Sequence, residues 1–278
     1  MSGTPVRQIN RLDATFARLK EEGRLGFFPY VMAGFPDRET SGRLLRVVAE
    51  AGADGIELGI PFSDPLADGV TVQRASTIAL ANGVTVADAL DMVAELRQHH
   101  QLPVVIMSYV NPLLAYGLDK LCQDAATLGI DGFIVPDLSI EEASDFQAQC
   151  AAAGLHYIYL VAPTSTDARL QAVGAKSGGF VYCVALVGTT GARNEMSHDL
   201  APFLGRVRAA IKTPLLVGFG ISTPAHVASL HGLADGAIVA SALVDAIEKS
   251  PPAEMEGVIA NMVADLRAAT RGTTPATR

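Results

Sequence analysis

The chain has 278 residues, 49% hydrophobic and 18% charged, with a formal net charge of −8. It is long enough for one large core without disulfides or metal, and close to the roughly 250 residues typical of a (β/α)8 barrel. No basic run exceeds two residues, which argues against nucleic acid as a partner, and no apolar stretch approaches the roughly 20 residues of a membrane span.

Met1 to Leu12 is polar and lacks the apolar segment of a secretory signal. Cys122, Cys150 and Cys183 are odd in number and never spaced C-x-x-C, so they read as reduced packing residues of a cytoplasmic protein. Residues 10–22 form an amphipathic helical pattern, with Asn10 placed as N-cap and Gly23 just past the end. Apolar runs near 26–32, 54–58, 103–107, 131–135, 157–161, 179–184, 214–217 and 235–239 read as strands. Each is short, rich in Val, Ile, Leu and Phe, and bounded by Gly, Pro or Asp, as strands buried on both faces are. Helical patterns separate them, such as 41–50 with Leu44, Leu45, Val47 and Val48 on one side. Two such patterns, 70–82 and 86–99, follow the second strand and make that connection unusually long.

Eight strands separated by helices imply parallel crossovers. The fold class is therefore α/β, a (β/α)8 TIM barrel with an extra N-terminal helix and additional helices in the connection after strand 2. An open doubly wound sheet is the rival, although it usually has fewer strands. The chain reads as one domain over 1–278, with flexible ends at 1–9 and 269–278. A weak internal repeat supports closure: Ala51-Gly-Ala-Asp-Gly-Ile-Glu-Leu58, Leu128-Gly-Ile-Asp-Gly-Phe-Ile-Val135 and Gly232-Leu-Ala-Asp-Gly-Ala-Ile-Val239 introduce the second, fourth and eighth strands. Alternate strands of a barrel fill the same interior layers, so likeness among even strands is expected. Any turn from helix to strand also favours Gly and Asp.

The most informative stretch for chemistry runs from the second strand into the loop after it, Gly55 to Gly69. If Ile56 and Leu58 pack outward under the helices, Glu57 points into the barrel near the strand's C-terminal end. A carboxylate there is costly unless it has a partner or a task. Asp68, eleven residues later, lies on a loop able to fold back over the barrel mouth. A buried carboxyl of raised pKa can exchange protons near neutrality while a more solvated one stays ionised, a division that suits acid–base catalysis. The competing readings are a structural ion pair for Glu57 and turn roles for Asp64 and Asp68.

The run Glu57-Leu-Gly-Ile-Pro-Phe-Ser-Asp-Pro-Leu-Ala-Asp-Gly69 resembles the signature of the tryptophan synthase α subunit family. Further matches follow in order: Tyr109-Val-Asn-Pro112, Val135-Pro-Asp-Leu138 with Glu141-Glu142, Gly188-Thr-Thr-Gly-Ala-Arg193 and Gly218-Phe-Gly-Ile-Ser222. The resemblance spans roughly residues 10–265. It implies a lyase that cleaves indole-3-glycerol phosphate to indole and glyceraldehyde 3-phosphate by a retro-aldol step. Glu57 would be the acid–base group and Asp68 the anion accepting a hydrogen bond from the indole N–H. Tyr182 would stand beside the acid, although an aromatic core role suits it equally. The resemblance also implies phosphate donors at Gly191, Gly220 and Ser241, loop closure through Thr190, and an indole pocket of Tyr30, Met107, Ile134, Leu160 and Phe219. A phosphate site after strands seven and eight is common in barrels. The resemblance gives this chain no cofactor and no metal. It implies an α2β2 complex in which a β subunit carries pyridoxal phosphate and faces the loops 62–69, 111–116 and 186–194.

Two positions depart from the family pattern. Ala240 stands where glycine is usual, so its methyl would crowd the phosphate or oppose a positive φ. Ala185-Leu186-Val187 stands where hydroxyl-bearing or basic residues are common. The alternatives are a stand-alone lyase releasing free indole, a non-catalytic activator of a β subunit, and another phosphosugar barrel enzyme such as an isomerase. The six histidines lack metal-ligand spacing, and no Walker A, Gly-x-Ser-x-Gly or His-Glu-x-x-His motif occurs.

Overall fold

The computed structural model describes residues 9–184 and 199–272. Its strands are β1 (Gly26–Met32), β2 (Ile56–Gly59), β3 (Val104–Met107), β4 (Gly132–Ile134), β5 (His156–Ile158), β6 (Leu160–Val161), β7 (Val181–Val184), β8 (Leu215–Gly218) and β9 (Gly236–Val239). The helices are α1 (Arg11–Glu22), α2 (Arg38–Glu50), α3 (Val70–Ala81), α4 (Val86–Arg97), α5 (Val110–Tyr116) and α6 (Leu118–Leu128). They continue as α7 (Ser144–Ala152), α8 (Asp167–Lys176), α9 (Leu200–Ala210), α10 (Pro224–Ala228), α11 (Ser241–Lys249) and α12 (Met255–Ala268). No single helix among the described residues is long and apolar enough to cross a membrane.

The strands are parallel and ordered β5-β4-β3-β2-β1-β9-β8-β7-β6. The two ends of this order, β5 and β6, are separated in the chain by Tyr159 alone. The Tyr182 N–H donates to the Tyr159 carbonyl at 2.9 Å and spans that break. They are thus two halves of the predicted fifth strand, and the sheet is a barrel of eight staves. Most other strands start one or two residues later than the apolar runs suggest; at β2, β4 and β9 this is because Asp54, Asp131 and Asp235 belong to the turns.

Those three aspartates show what the repeat is for. Asp54 accepts the Phe27 N–H at 3.1 Å, Asp131 the Val104 N–H at 2.9 Å, and Asp235 the Leu215 N–H at 2.7 Å. Each therefore satisfies a backbone donor at the start of a neighbouring strand, and each is paired with arginine: Asp54 with Arg24, Asp131 with Arg11 and Arg97, Asp235 with Arg208. The strands' N-terminal ends are consequently held by side chains.

Side chains alternate between two apolar layers. Ile56, Leu58, Val104 and Ile106 pack outward under the helices, whereas Phe28, Val105, Met107, Ile134, Ile158, Phe180, Tyr182, Leu216 and Ile238 fill the interior. The apolar face of α1, Leu12, Phe16 and Leu19, joins that interior cluster. Asn10 accepts from the Leu12 N–H and Gly23 takes the left-handed conformation, so both ends of α1 are capped as the sequence suggests. The Phe16 ring lies 5.8 Å from Phe28 and 6.1 Å from Phe180, and the three rings close the barrel floor.

Two boundaries differ from expectation. Helix α2 begins at Arg38 rather than 41, because Asp37 caps it by accepting the Thr40 N–H. The chain is also held past 269: the Leu25 N–H donates to the Thr270 carbonyl at 3.0 Å, Thr270 is buried, and Arg271 bridges to Arg24. Cys122, Cys150 and Cys183 are buried free thiols.

Candidate active site

Alternation along β2 aims Glu57 inward, where it is in register with the interior residue Val105 on one side and Tyr30 on the other. Its side chain is buried (4% exposed), and Oε2 has no hydrogen-bond partner. Burial, and secondly the charge of Asp68, push its pKa from 4.5 up to about 8. Near neutrality this carboxyl holds a proton.

Asp68 sits on the loop joining β2 to α3, and α3 folds that loop back over the mouth. Ser76 on α3 accepts from the Phe62 N–H at 2.8 Å and donates to the Phe62 carbonyl at 2.9 Å. Gln73 donates to the Asp68 carbonyl at 2.9 Å. From the end of β3, the Tyr109 hydroxyl accepts the Ala67 N–H at 2.9 Å and hydrogen-bonds to the Asp68 carboxylate, while its ring stacks on Phe62 at 5.2 Å. Burial raises the Asp68 pKa from 3.8 to about 6 and the Tyr109 bond opposes that rise. Asp68 is therefore largely an anion where Glu57 is still neutral. One pair offers a proton and a fixed negative charge together.

Two tyrosines frame the acid. A methyl added at Gly59 would meet the Tyr30 hydroxyl oxygen at 2.0 Å, and one at Gly218 the Tyr182 hydroxyl oxygen at 2.0 Å. Each tyrosine thus lies across a glycine near the C-terminal end of the neighbouring strand. Burial chiefly, then the nearby carboxylates Asp68 and Glu57, raise both phenols well above their usual range, so they stay protonated donors. The Tyr182 ring also meets Phe219 edge-on at 6.2 Å.

Of the expected indole pocket, Met107, Ile134 and Leu160 share the interior cluster with Tyr182, Tyr30 is in register with Glu57, and Phe219 projects half-exposed from the end of β8. Phe219 adopts φ +67° and Gly220 φ +82°, so the chain turns sharply there and presents its backbone at the mouth. Strands β8 and β9 are neighbours, which sets Gly220 and Ser241 after adjacent strand ends. Helix α11 starts at Ser241 with no side-chain hydrogen bond capping its first turn, where the Leu243 N–H donates to the Ala240 carbonyl at 2.9 Å. Ala240 has φ −110°, so the feared conflict with a positive φ does not arise. Thr190, Gly191, residues 185–187 and the loop 186–194 lie outside the described residues. Tyr109 is the residue that sequence reasoning passed over, although it opens the quoted Tyr109-Val-Asn-Pro112 run.

Comparison with known proteins adds an independent line. A family model described as tryptophan synthase alpha chain matches residues 16–272. The tryptophan synthase alpha chain of Roseiflexus sp. (strain RS-1) is 49% identical over 260 residues, which is 93% of this chain and 100% of that protein. The crystal structure of tryptophan synthase subunit alpha from Legionella pneumophila str. Paris superposes with a TM-score of 0.87 at 35% identity, covering 95% of this chain and 99% of that one. A chain of tryptophan synthase from M. tuberculosis, in an open form with BRD0059 bound, gives a TM-score of 0.85 at 35% identity, covering 95% and 99%.

Proposed function

The chain belongs to the tryptophan synthase alpha chain family, and from that premise we propose how its residues divide the work of cleaving indole-3-glycerol phosphate to indole and glyceraldehyde 3-phosphate. The observation that carries the reading is Glu57: a buried carboxyl with an unpartnered oxygen and a pKa near 8, beside an ionised Asp68.

The substrate's carbon–carbon bond leaves the ring only once indole C3 has gained a proton. Neutral Glu57 supplies it, and the ring nitrogen, now positively charged, donates a hydrogen bond to the Asp68 carboxylate. Glu57, now a carboxylate, takes the proton of the adjacent glycerol hydroxyl as that oxygen becomes the aldehyde carbonyl. The electrons of the breaking bond return to the ring and restore indole, so Glu57 ends the cycle protonated. Tyr182 stands beside the acid as a hydroxyl donor. Tyr30, Met107, Ile134, Leu160 and Phe219 sandwich the flat ring. Gly220 and the Ser241 end of α11 hold the phosphate, with Gly191 as a further donor and Thr190 as the contact made on loop closure.

The reading treats the whole chain as one barrel domain working in the cytoplasm with a β subunit that carries pyridoxal phosphate. Exposed apolar residues around the mouth, Leu66 (92%), Val70 (77%) and Leu114 (54%), suit such a partner. Indole release by the purified protein, with and without a β subunit, tests the assignment. Glu57→Gln should lower kcat at least 100-fold, the usual scale of a general acid–base contribution. Undiminished turnover in that variant would remove Glu57 from the mechanism.

A further inference from the structure

At the strands' N-terminal ends, far from the mouth, an open cavity of about 730 Å³ lies where α1 runs into β1 and α12 ends. It is lined by Arg18, Glu22, Arg24, Arg267 and Arg271, with Gly23 and Gly272 between them. Beneath it Asp54 is buried with its oxygens already engaged. Arg24 donates to them at 2.7 and 2.6 Å, Phe27 N–H at 3.1 Å and Arg18 at 3.3 Å, and Arg267 stands 3.5 Å away. Three guanidiniums, those of Arg18, Arg24 and Arg267, share two carboxylates, Asp54 and Glu22, and Arg271 brings a fourth to the cavity wall. The surplus is two positive charges (4 − 2) in a chain whose total is −8.

Arg271 sharpens the imbalance. Its backbone is fixed by the antiparallel bridge to Arg24, yet its side chain has no hydrogen-bond or ion-pair partner among the described residues. Burial holds the Arg267 guanidinium below its usual range, and Arg24 and Arg271 push it the same way against the pull of Asp54. At Gly23 a methyl would meet nothing within 4 Å, so the space beside α1 is open.

We propose that this cavity is a second anion site, which takes a phosphate-class oxyanion between Arg271 and Arg18 above the buried Arg24 side chain and the partly buried Arg267. A guanidinium presents paired N–H groups that match two oxygens of such an anion, and the anion would neutralise a surplus that no carboxylate among the described residues compensates. Bound there, it would tie the end of α1 to the end of α12. The site is separate from the phosphate donors at the opposite strand ends, and its occupancy does not depend on catalysis.

Thermal unfolding in inorganic phosphate, against chloride at equal ionic strength, tests this in the wild type, Arg271→Ala and Arg271→Glu. Phosphate held at the catalytic mouth shifts all three proteins alike, so only the difference between them reads the cavity. The wild-type Tm should rise by about 2 °C more than that of Arg271→Glu at saturating phosphate, with Arg271→Ala between them. Indole release should be unchanged in both variants. Equal phosphate shifts in the three proteins would overturn the proposal. Arg271→Ala loses a side chain that has no partner among the described residues, so it keeps the test open should the charge reversal fail to fold.

Discussion

Water does not sustain a neutral glutamic acid beside a charged aspartate near pH 7; the barrel does so by burying Glu57 more deeply than Asp68. The stability consequence has a definite sign. Between 4.5 and about 8 the folded chain keeps a proton on Glu57 that the unfolded chain has released, so rising pH weakens the fold across that window and no further above it. Asp68 acts in the same direction between 3.8 and about 6. Glu57→Gln should therefore match the wild type in urea at about pH 5 and exceed it at about pH 9. The gain should be on the order of 2–4 kcal/mol, at roughly 1.4 kcal/mol per pKa unit. A gap that narrowed as pH rose would contradict the burial argument. Glu57 is legible in the sequence because alternation along one short strand fixes its direction. Tyr109 is not, because its bond to the Ala67 N–H beside Asp68 depends on how a loop from β2 settles against the end of β3, 42 residues further along the chain. Ala240 shows the converse: a residue type raises a worry about backbone conformation that only the observed φ of −110° removes.

At the level of elements, α1 illustrates how far a pattern reaches. Its caps and apolar face can be read from residues 10–23, but periodicity states only that a face is buried and not against what. The face closes the barrel floor through Phe16, Phe28 and Phe180. Phe16→Ala should thus behave as a core truncation, costing about 3–5 kcal/mol in urea unfolding. Loss below about 0.5 kcal/mol would mean that α1 merely lies on the surface. The same limit explains the strand boundaries. Apolar runs announce Asp54, Asp131 and Asp235 as strand residues, whereas hydrogen bonding turns them into side-chain anchors for neighbouring strands. A single apolar run at 157–161 likewise conceals the break at Tyr159.

Across the whole molecule, eight alternating strands and helices suffice to announce a barrel, since few other architectures bury that many parallel strands on both faces. The proposed partner face is less legible, because an exposed Leu or Val in a loop has no periodicity to set it apart. Leu66→Asp should leave urea stability within about 0.5 kcal/mol of wild type, as for an exposed surface site. It should raise the concentration of β subunit needed to stimulate indole release at least tenfold. Unaltered titration with the β subunit would move the docking face away from the loop that bears Asp68. The packed phenylalanines below have a bearing on traffic as well as on stability. A vessel stoppered at its base has one doorway, so substrate arrives and both products depart on the side where bond cleavage occurs. Any second catalyst that is to receive indole without losing it to solvent has to sit over that doorway.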